Sequence, residues 1–387
     1  MKAKVSQALL FDALQRAARA ISSNCMLPIL HGFRLQFLDD RMTVTGGNEQ
    51  MTIYAGLPLI EQVRRNEADS KKPGPTGLVI PARYMVDIAR KLQAPLVELE
   101  LEDRPILTVR SGGSTFRLCG MELEEYPEMP PLDLALWQLT VPNALLKSMI
   151  RQVAFAASTS EIRPLLSGVL CRFDGSSLRL VATDSVRFAS HSSRIGPEVA
   201  SAAFEAIIPG KALAELAKLL QDTQEETTIT AYSGHIVFNS SDVSLSCSLL
   251  HGTYPPIDKL VPSGYTAELT ADTLQLLHAM ERVTLLAGEG SVVRLQTGPN
   301  TGEEQFVELL AGSAEIGNVR EHIRVDHVQG EAIAVSFNGK YMTDILRAMN
   351  SSTVKLKFSE KLGPIVAEPL SPIPTSIYLL TRIRTAV

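Results

Sequence analysis

Three stretches of this chain repeat one arrangement of apolar and polar positions. Met85, Ile88, Ala89 and Leu92 recur at helical spacing, as do Leu213, Leu216, Ala217 and Leu220, and again Met342, Ile345, Leu346 and Met349. Each stretch follows a strand-like run, opening at Ile80-Pro81-Ala82-Arg83, Ile208-Pro209-Gly210-Lys211 and Phe337-Asn338-Gly339-Lys340. The opposite faces carry Arg83, Asp87 and Arg90, then Lys211, Glu215 and Lys218, then Lys340, Asp344 and Arg347. Offsets of 0, 4 and 7 and the sign order plus, minus, plus hold in all three, and the first cations lie 128 and 129 residues apart. On one helix such a face is a solvated surface with an i,i+4 ion pair. Three copies at a nearly constant period predict a repeated domain in a repeated orientation.

A second helix precedes each of these. Leu9, Leu10, Ala13, Leu14, Ala17, Ala18 and Ile21 form one stripe, with Arg16 and Arg19 on its other side. Leu145, Leu146, Met149, Ile150, Val153 and Ala154 form the next, opposite Lys147 and Arg151. The third is looser: Leu274, Leu277 and Met280, with His278 and Arg282 elsewhere. Between helices the chain alternates as strands do, in residues 32–37, 42–45, 168–173, 178–181, 237–238, 243–247 and 354–358. Asp174-Gly175 between two such runs is a hairpin signal. Turn-rich boundaries near Pro131-Leu132-Asp133 and Pro262-Ser263-Gly264 give three domains, 1–132, 133–263 and 264–387. The polar stretch Arg64 to Gly77 reads as an exposed, mobile hairpin loop.

Composition adjusts this picture only in places. Hydrophobic residues make up 45% and charged residues 20%, as in an ordinary globular protein, and 5% aromatics imply an aliphatic core. Net charge is -5, so any nucleic-acid footprint must be local. Cys25, Cys119, Cys171 and Cys247 are widely spaced, with no Cys-x-x-Cys pair. That pattern argues against structural zinc and fits a reduced, cytoplasmic compartment. No secretory leader is evident, and no apolar run of about 18 residues predicts a membrane span. No P-loop, dinucleotide fingerprint or Gly-x-Ser-x-Gly appears. Thr183-Asp184-Ser185 pairs a carboxylate with hydroxyls but has no histidine beside it, and Asp184 is expected to anchor a strand turn. No catalytic residue, metal or cofactor is expected.

The order of motifs resembles the bacterial DNA polymerase III beta subunit, the beta sliding clamp family, over essentially the whole chain. The stretches that carry the likeness are MLPILHGFRLQF, GLVIPARYMVDIARKL, RPLLSGVLCRF, VATDSVRFAS, IIPGKALAELAKLL, GTYPPIDKLVPS, VSFNGKYMTDILRAM and IYLLTRIRTAV. The resemblance implies an α+β DNA clamp fold: three similar domains, each with two helices on antiparallel sheet, two chains closing head to tail into a ring. It implies double-stranded DNA, bound without regard to sequence, as one partner. The others it implies are the replicative polymerase with its 3'-5' exonuclease complex, the clamp loader and repair proteins, all held by short linear peptides. Positions implied to face DNA are Arg16, Arg19, Asn24, Arg83, Arg90, Lys147, Arg151, Lys211, Lys218, Arg282, Lys340 and Arg347; Asn24 stands where the family often has a basic residue. The implied peptide pocket comprises Leu166, Thr183, Ser185, Val186, Arg187, Phe188, Pro255, Lys259, Leu260, Tyr341 and Leu379, Leu380, Thr381 and Arg382. Ring closure is implied between Phe116 and Leu118 and the Leu285 and Leu286 of a second copy. Two departures stand out. Val186 replaces a common histidine, and Thr381-Arg382 replaces an apolar residue followed by proline. They imply an altered pocket and leave open a divergent second clamp copy, with a clamp-fold interaction module of reduced DNA encirclement as the alternative reading.

Overall fold

A computed structural model describes residues 1–63, 76–102, 105–127, 134–160, 162–195, 202–257, 260–297, 305–360, 363–372 and 375–384. All six predicted helices form: α1 (Gln7–Ala18), α2 (Ala82–Lys91), α3 (Asn143–Val153), α4 (Gly210–Leu219), α5 (Thr273–Thr284) and α6 (Gly339–Ala348). The described residues gather into two compact units, one of residues 1–146 with 215–249, the other of residues 147–214 with 250–387.

In the first unit a five-stranded sheet runs in the order Glu61–Val63, Lys2–Ser6, Leu96–Leu101, Ile106–Ser111, Ser114–Cys119. An eight-stranded sheet begins with Trp137–Pro142, Glu226–Ala231, His235–Ser240 and Val243–Ser248. It continues through Met51–Pro58, Arg41–Gly47 and Gly32–Phe37 to Thr76–Pro81. The seam is the antiparallel pair of Val243–Ser248 with Met51–Pro58, which joins strands of the first and second sequence repeats. Helix α1 lays Leu10, Ala13, Leu14 and Ala17 on this core. Its approach is close at Gly46, where a Cβ would sit 2.2 Å from the Ala17 carbonyl oxygen, so only glycine fits.

The second unit repeats the plan. A nine-stranded sheet begins with Phe204–Pro209, Gly168–Phe173, Ser177–Thr183, Arg187–Arg194 and Ser376–Leu380. It ends with Ile365–Pro369, Thr353–Phe358, Ala267–Asp272 and His327–Gly330. Here Arg187–Arg194 pairs with Ser376–Leu380, so second and third repeats share backbone hydrogen bonds. A four-stranded sheet follows the order Gly317–Val325, Gln305–Ser313, Val292–Thr297, Ala334–Asn338. Helices α5 and α6 are capped by Asp272, which accepts from the Gln275 N–H at 2.7 Å, and Asn338, which accepts from the Tyr341 N–H at 3.1 Å.

Local expectations meet mixed fortunes. Asp174 turns its hairpin as predicted, accepting the N–H groups of Ser176 and Ser177, with Gly175 at φ 97°. The stripe read for α5 is off by part of a turn: Leu274 is exposed, while Leu276, Ala279 and Val283 are in the core beside Leu277 and Met280. Most of the Arg64 to Gly77 loop lies outside the described residues, and Thr76-Gly77 already belong to a strand. Pro131-Leu132-Asp133 also lie outside them.

Candidate functional site

The basic helix faces separate into two groups. In α2, α4 and α6 the first cation of the triplet, Arg83, Lys211 or Lys340, is exposed and has no carboxylate partner among the described residues. The third cation is always paired: Arg90 with Asp87 at 3.5 Å, Lys218 with Glu215 at 2.6 Å, Arg347 with Glu281 at 2.7 Å. The expected i,i+4 pair is therefore replaced, in α2 and α4, by an i,i+3 pair to the cation that follows. Asp344 of α6 leaves its helix face altogether and binds Arg187 at 2.6 Å.

The preceding helices are less uniform. Arg151 is exposed and unpaired among the described residues. Arg282 is held by Glu321, and Arg19 by Glu215 at 3.3 Å. Arg16 is only 15% exposed and lies 2.8 Å from both Asp12 and Asp242. Lys147 is a correction: it is 9% exposed, so it is no solvent-facing cation. Leu145, read as part of the apolar stripe opposite it, is only half-buried, so burial on α3 does not follow the division read from spacing. Asn24 is exposed in a turn closed by the Ser22 hydroxyl, which accepts its N–H at 3.2 Å.

The second unit holds a cavity of about 780 Å³. Eleven of its lining residues are among those expected: Leu166, Thr183, Ser185, Val186, Arg187, Phe188, Pro255, Leu260, Leu379, Thr381 and Arg382. A short 3-10 turn, Pro164–Ser167, delivers Leu166. The hairpin turn between two strands delivers residues 183–187. There Asp184 accepts the Val186 and Arg187 N–H groups at 2.9 and 2.8 Å, as the sequence predicted for it. The Thr183 hydroxyl donates to the Arg187 carbonyl at 2.7 Å, and Ser185 takes a φ of 79°. Beneath the cavity lies an apolar cluster that includes Leu170, Val181, Phe188, Tyr254, Ile257 and Leu379. Burial pushes the Tyr254 phenol up to about 12.

Arg187 is the most constrained wall residue. It pairs with Asp184 at 3.0 Å and Asp344 at 2.6 Å, and its guanidinium lies 4.4 Å from the Tyr341 ring centroid and 5.4 Å from that of Phe155. Tyr341 is thus a support behind Arg187 and does not line the cavity. Leu380 is a second correction: at 1% exposure it points into the core, because strand side chains alternate and Leu379 takes the cavity face. Lys259 lies outside the described residues. The lining also includes Arg163, Pro164, Leu165, Thr253, Pro256 and Pro364, which the sequence reading missed. The first five adjoin chosen positions inside the RPLLSG and GTYPPI motifs; Pro364 had no local signal.

Two exposed edges complete the inventory. Phe116 and Leu118 sit on Ser114–Cys119, the edge strand of its sheet, whose residues are nearly all exposed. Leu285, 78% exposed, and half-buried Leu286 follow α5. Among the described residues no cluster of three or more His, Cys, Asp or Glu side chains could hold a metal ion.

The family description "DNA polymerase III beta subunit" matches this chain three times: its N-terminal domain at residues 1–130, central domain at 140–256 and C-terminal domain at 258–372. The chain belongs to the DNA polymerase III beta subunit family. A beta sliding clamp of Bacillus subtilis is 33% identical over 388 residues, covering all of both chains. One from Staphylococcus aureus is 35% identical over 361 residues, 92% of each. The crystal structure of the Bacillus subtilis DNA polymerase sliding clamp superposes with a TM-score of 0.89 at 32% identity over the full length of both. The beta subunit from DNA polymerase of Streptococcus pyogenes gives 0.89 at 28% identity, again over both whole chains. For a beta subunit, the three first cations on α2, α4 and α6, left unpaired among the described residues, are the feature that composition hid beneath a net charge of -5.

Proposed function

We propose that this chain is a DNA sliding clamp, a ring that encircles duplex DNA and confers processivity on the replicative polymerase. The observation that carries the reading is the cation at the same position of α2, α4 and α6 that has no carboxylate partner among the described residues, in a chain of this family. A ring that slides needs contacts that are weak, interchangeable and blind to sequence. Isolated cations facing phosphates supply these, since phosphate contacts carry no base information. Topology then retains the ring, and affinity does not have to.

In this reading the repeats are domains 1–132, 133–263 and 264–387. Two copies close head to tail, with Phe116 and Leu118 of one against Leu285 and Leu286 of the other; the exposed edge strand and the exposed Leu285 support that pairing. The cavity takes short peptides from the polymerase, the clamp loader and repair proteins, with its apolar floor as anchor site. The chain is accessory and the chemistry of synthesis belongs to other subunits. Its compartment is the cytoplasm, where the chromosome is copied.

Primer extension tests the reading. With the polymerase and clamp loader of the same cell, on a singly primed circle under single-encounter conditions, the chain lengthens products by at least about tenfold. Unchanged product length rejects it.

A further inference from the structure

We propose that the first unit holds a binding site of its own, a polar counterpart of the cavity in the second unit, and that it takes a small oxyanion of phosphate's size. A cavity of about 190 Å³ lies in the first unit, about a quarter of the volume of the other. The sequence repeat places it. Leu30, Glu49, Gln50 and Thr52 line it, and the residues 136 positions further on, Leu166, Ser185, Val186 and Phe188, line the larger cavity. Across the seam Thr52 is opposite Ser246, as Phe188 is opposite Leu379.

What differs is the floor. Leu170, Val181, Phe188 and Leu379 make that of the second unit apolar. The matching positions of the first unit are Arg34, Thr45, Thr52 and Ser246, all in the cavity wall. Arg34, Thr45 and Tyr54 are register neighbours on three adjacent strands, so their side chains share one face. Tyr126, the counterpart of Tyr254, places its ring 5.8 Å from the Arg34 guanidinium. Gly47 stands where the second unit has Thr183, and a Cβ there would come within 3.2 Å of the Tyr126 hydroxyl. The Tyr254 hydroxyl donates to the Gly168 carbonyl at 3.4 Å. By contrast, the Tyr126 hydroxyl, the Thr45 hydroxyl and Arg34 Nε are buried with no hydrogen-bond partner among the described residues. Tyr126 is 4% exposed and Thr45 1%, so both hydroxyls are built into the wall. Unmatched buried donors are costly, and a ligand that accepts from all three recovers the cost. Arg34 Nε can only donate, and the Tyr126 phenol stays protonated because burial pushes it up to about 12. An oxyanion offers acceptors in several directions and suits a guanidinium. Glu49, the carboxylate of the described lining, accepts from the Met26 N–H at 3.4 Å and serves its own loop. The space admits one compact group and not the successive side chains of a peptide.

The test uses the full chain, with inorganic phosphate as probe against sodium chloride of equal ionic strength. Phosphate is expected to raise the melting temperature saturably and to broaden its own phosphorus NMR line. Thr45→Val and Tyr126→Phe each remove one donor and keep the shape, so without phosphate each variant melts with the unaltered chain or slightly above it. Each is expected to bind phosphate about tenfold more weakly, the loss of one hydrogen bond to a charged group. Phenyl phosphate separates the sources of the anion. If it binds as tightly as phosphate, the site takes a phosphoryl group on a larger molecule; if it binds more weakly, the site takes the free anion. No saturable effect of phosphate overturns the inference. So does an effect that both variants keep in full, since it then comes from an adventitious ion only, on the basic helices. A variant that melts well below the unaltered chain without phosphate overturns it too, because its hydroxyl then has a partner within the protein.

Discussion

At the scale of single residues, the Asp184 carboxylate combines two functions that are often divided. One oxygen closes the turn by accepting two backbone N–H groups, and the other orients Arg187. Replacing Asp184 by Ala leaves two amide donors and a 12%-exposed guanidinium short of an acceptor. The expected loss is about 2–3 kcal/mol in urea unfolding; a loss under about 0.5 kcal/mol would mean that Asp344 and the rings suffice. Gly46→Ala forces a methyl against the Ala17 carbonyl, so α1 must shift. A cost of about 2 kcal/mol or more is expected there. Asp184 was legible in the sequence because a short polar side chain before an exposed turn has few other uses. Leu380 and Tyr341 were not, because which neighbour of a pair faces a cavity depends on strand register and on what stacks behind it.

Among the elements, the triplet was legible in sequence and its pairing was not. Charge spacing shows which side chains share a helix face. It does not show which carboxylate wins when a second partner such as Arg187 comes within reach. The same limit explains Lys147, where spacing placed a cation outward and packing buries it. A salt titration of duplex binding checks the division into free and paired cations. Replacing Arg83, Lys211 and Lys340 with Gln reduces the slope of log K against log salt by about 0.9 for each phosphate no longer neutralised. Arg90, Lys218 and Arg347, changed in the same way, alter it by less. The seam between Arg187–Arg194 and Ser376–Leu380 gives a pH dependence. His191 is opposite Ser376 in register, and its Nδ1 lies 2.7 Å from the serine hydroxyl. That hydroxyl gives its own proton to Gln152 Oε1 at 2.7 Å, so neutral His191 is the donor in the pair. Burial lowers the His191 pKa below its ordinary 6.5. The stability from keeping His191 neutral is present above that value. It is lost as pH falls through the lowered folded pKa, because the unfolded chain takes the proton first. Melting temperatures from pH 7.5 to 5.5 should fall more steeply for the unaltered chain than for His191→Asn; identical slopes would remove His191 as the cause.

For the whole molecule, the repeat period gave the three-part plan, and eight ordered motifs gave the family. Backbone seams that carry one sheet from repeat to repeat could not be seen in periodicity, since pairing partners lie up to about two hundred residues apart in the chain. Closure into a ring makes its own prediction. Leu285→Asp replaces a side chain that is 78% exposed in the single chain, so the chain still folds, and its melting temperature drops only by what association contributes. Light scattering should then report about half the mass of the unaltered protein, whose chain is 42.1 kDa. The claim that topology retains this protein on DNA has a more direct test. The labelled protein is loaded on a closed primed circle by its clamp loader, freed of loader by gel filtration, and the circle is then cut once. The account predicts that the protein stays with the circle in moderate salt and leaves within minutes of linearisation. Equal retention on circular and linear DNA, or none on either, would contradict it.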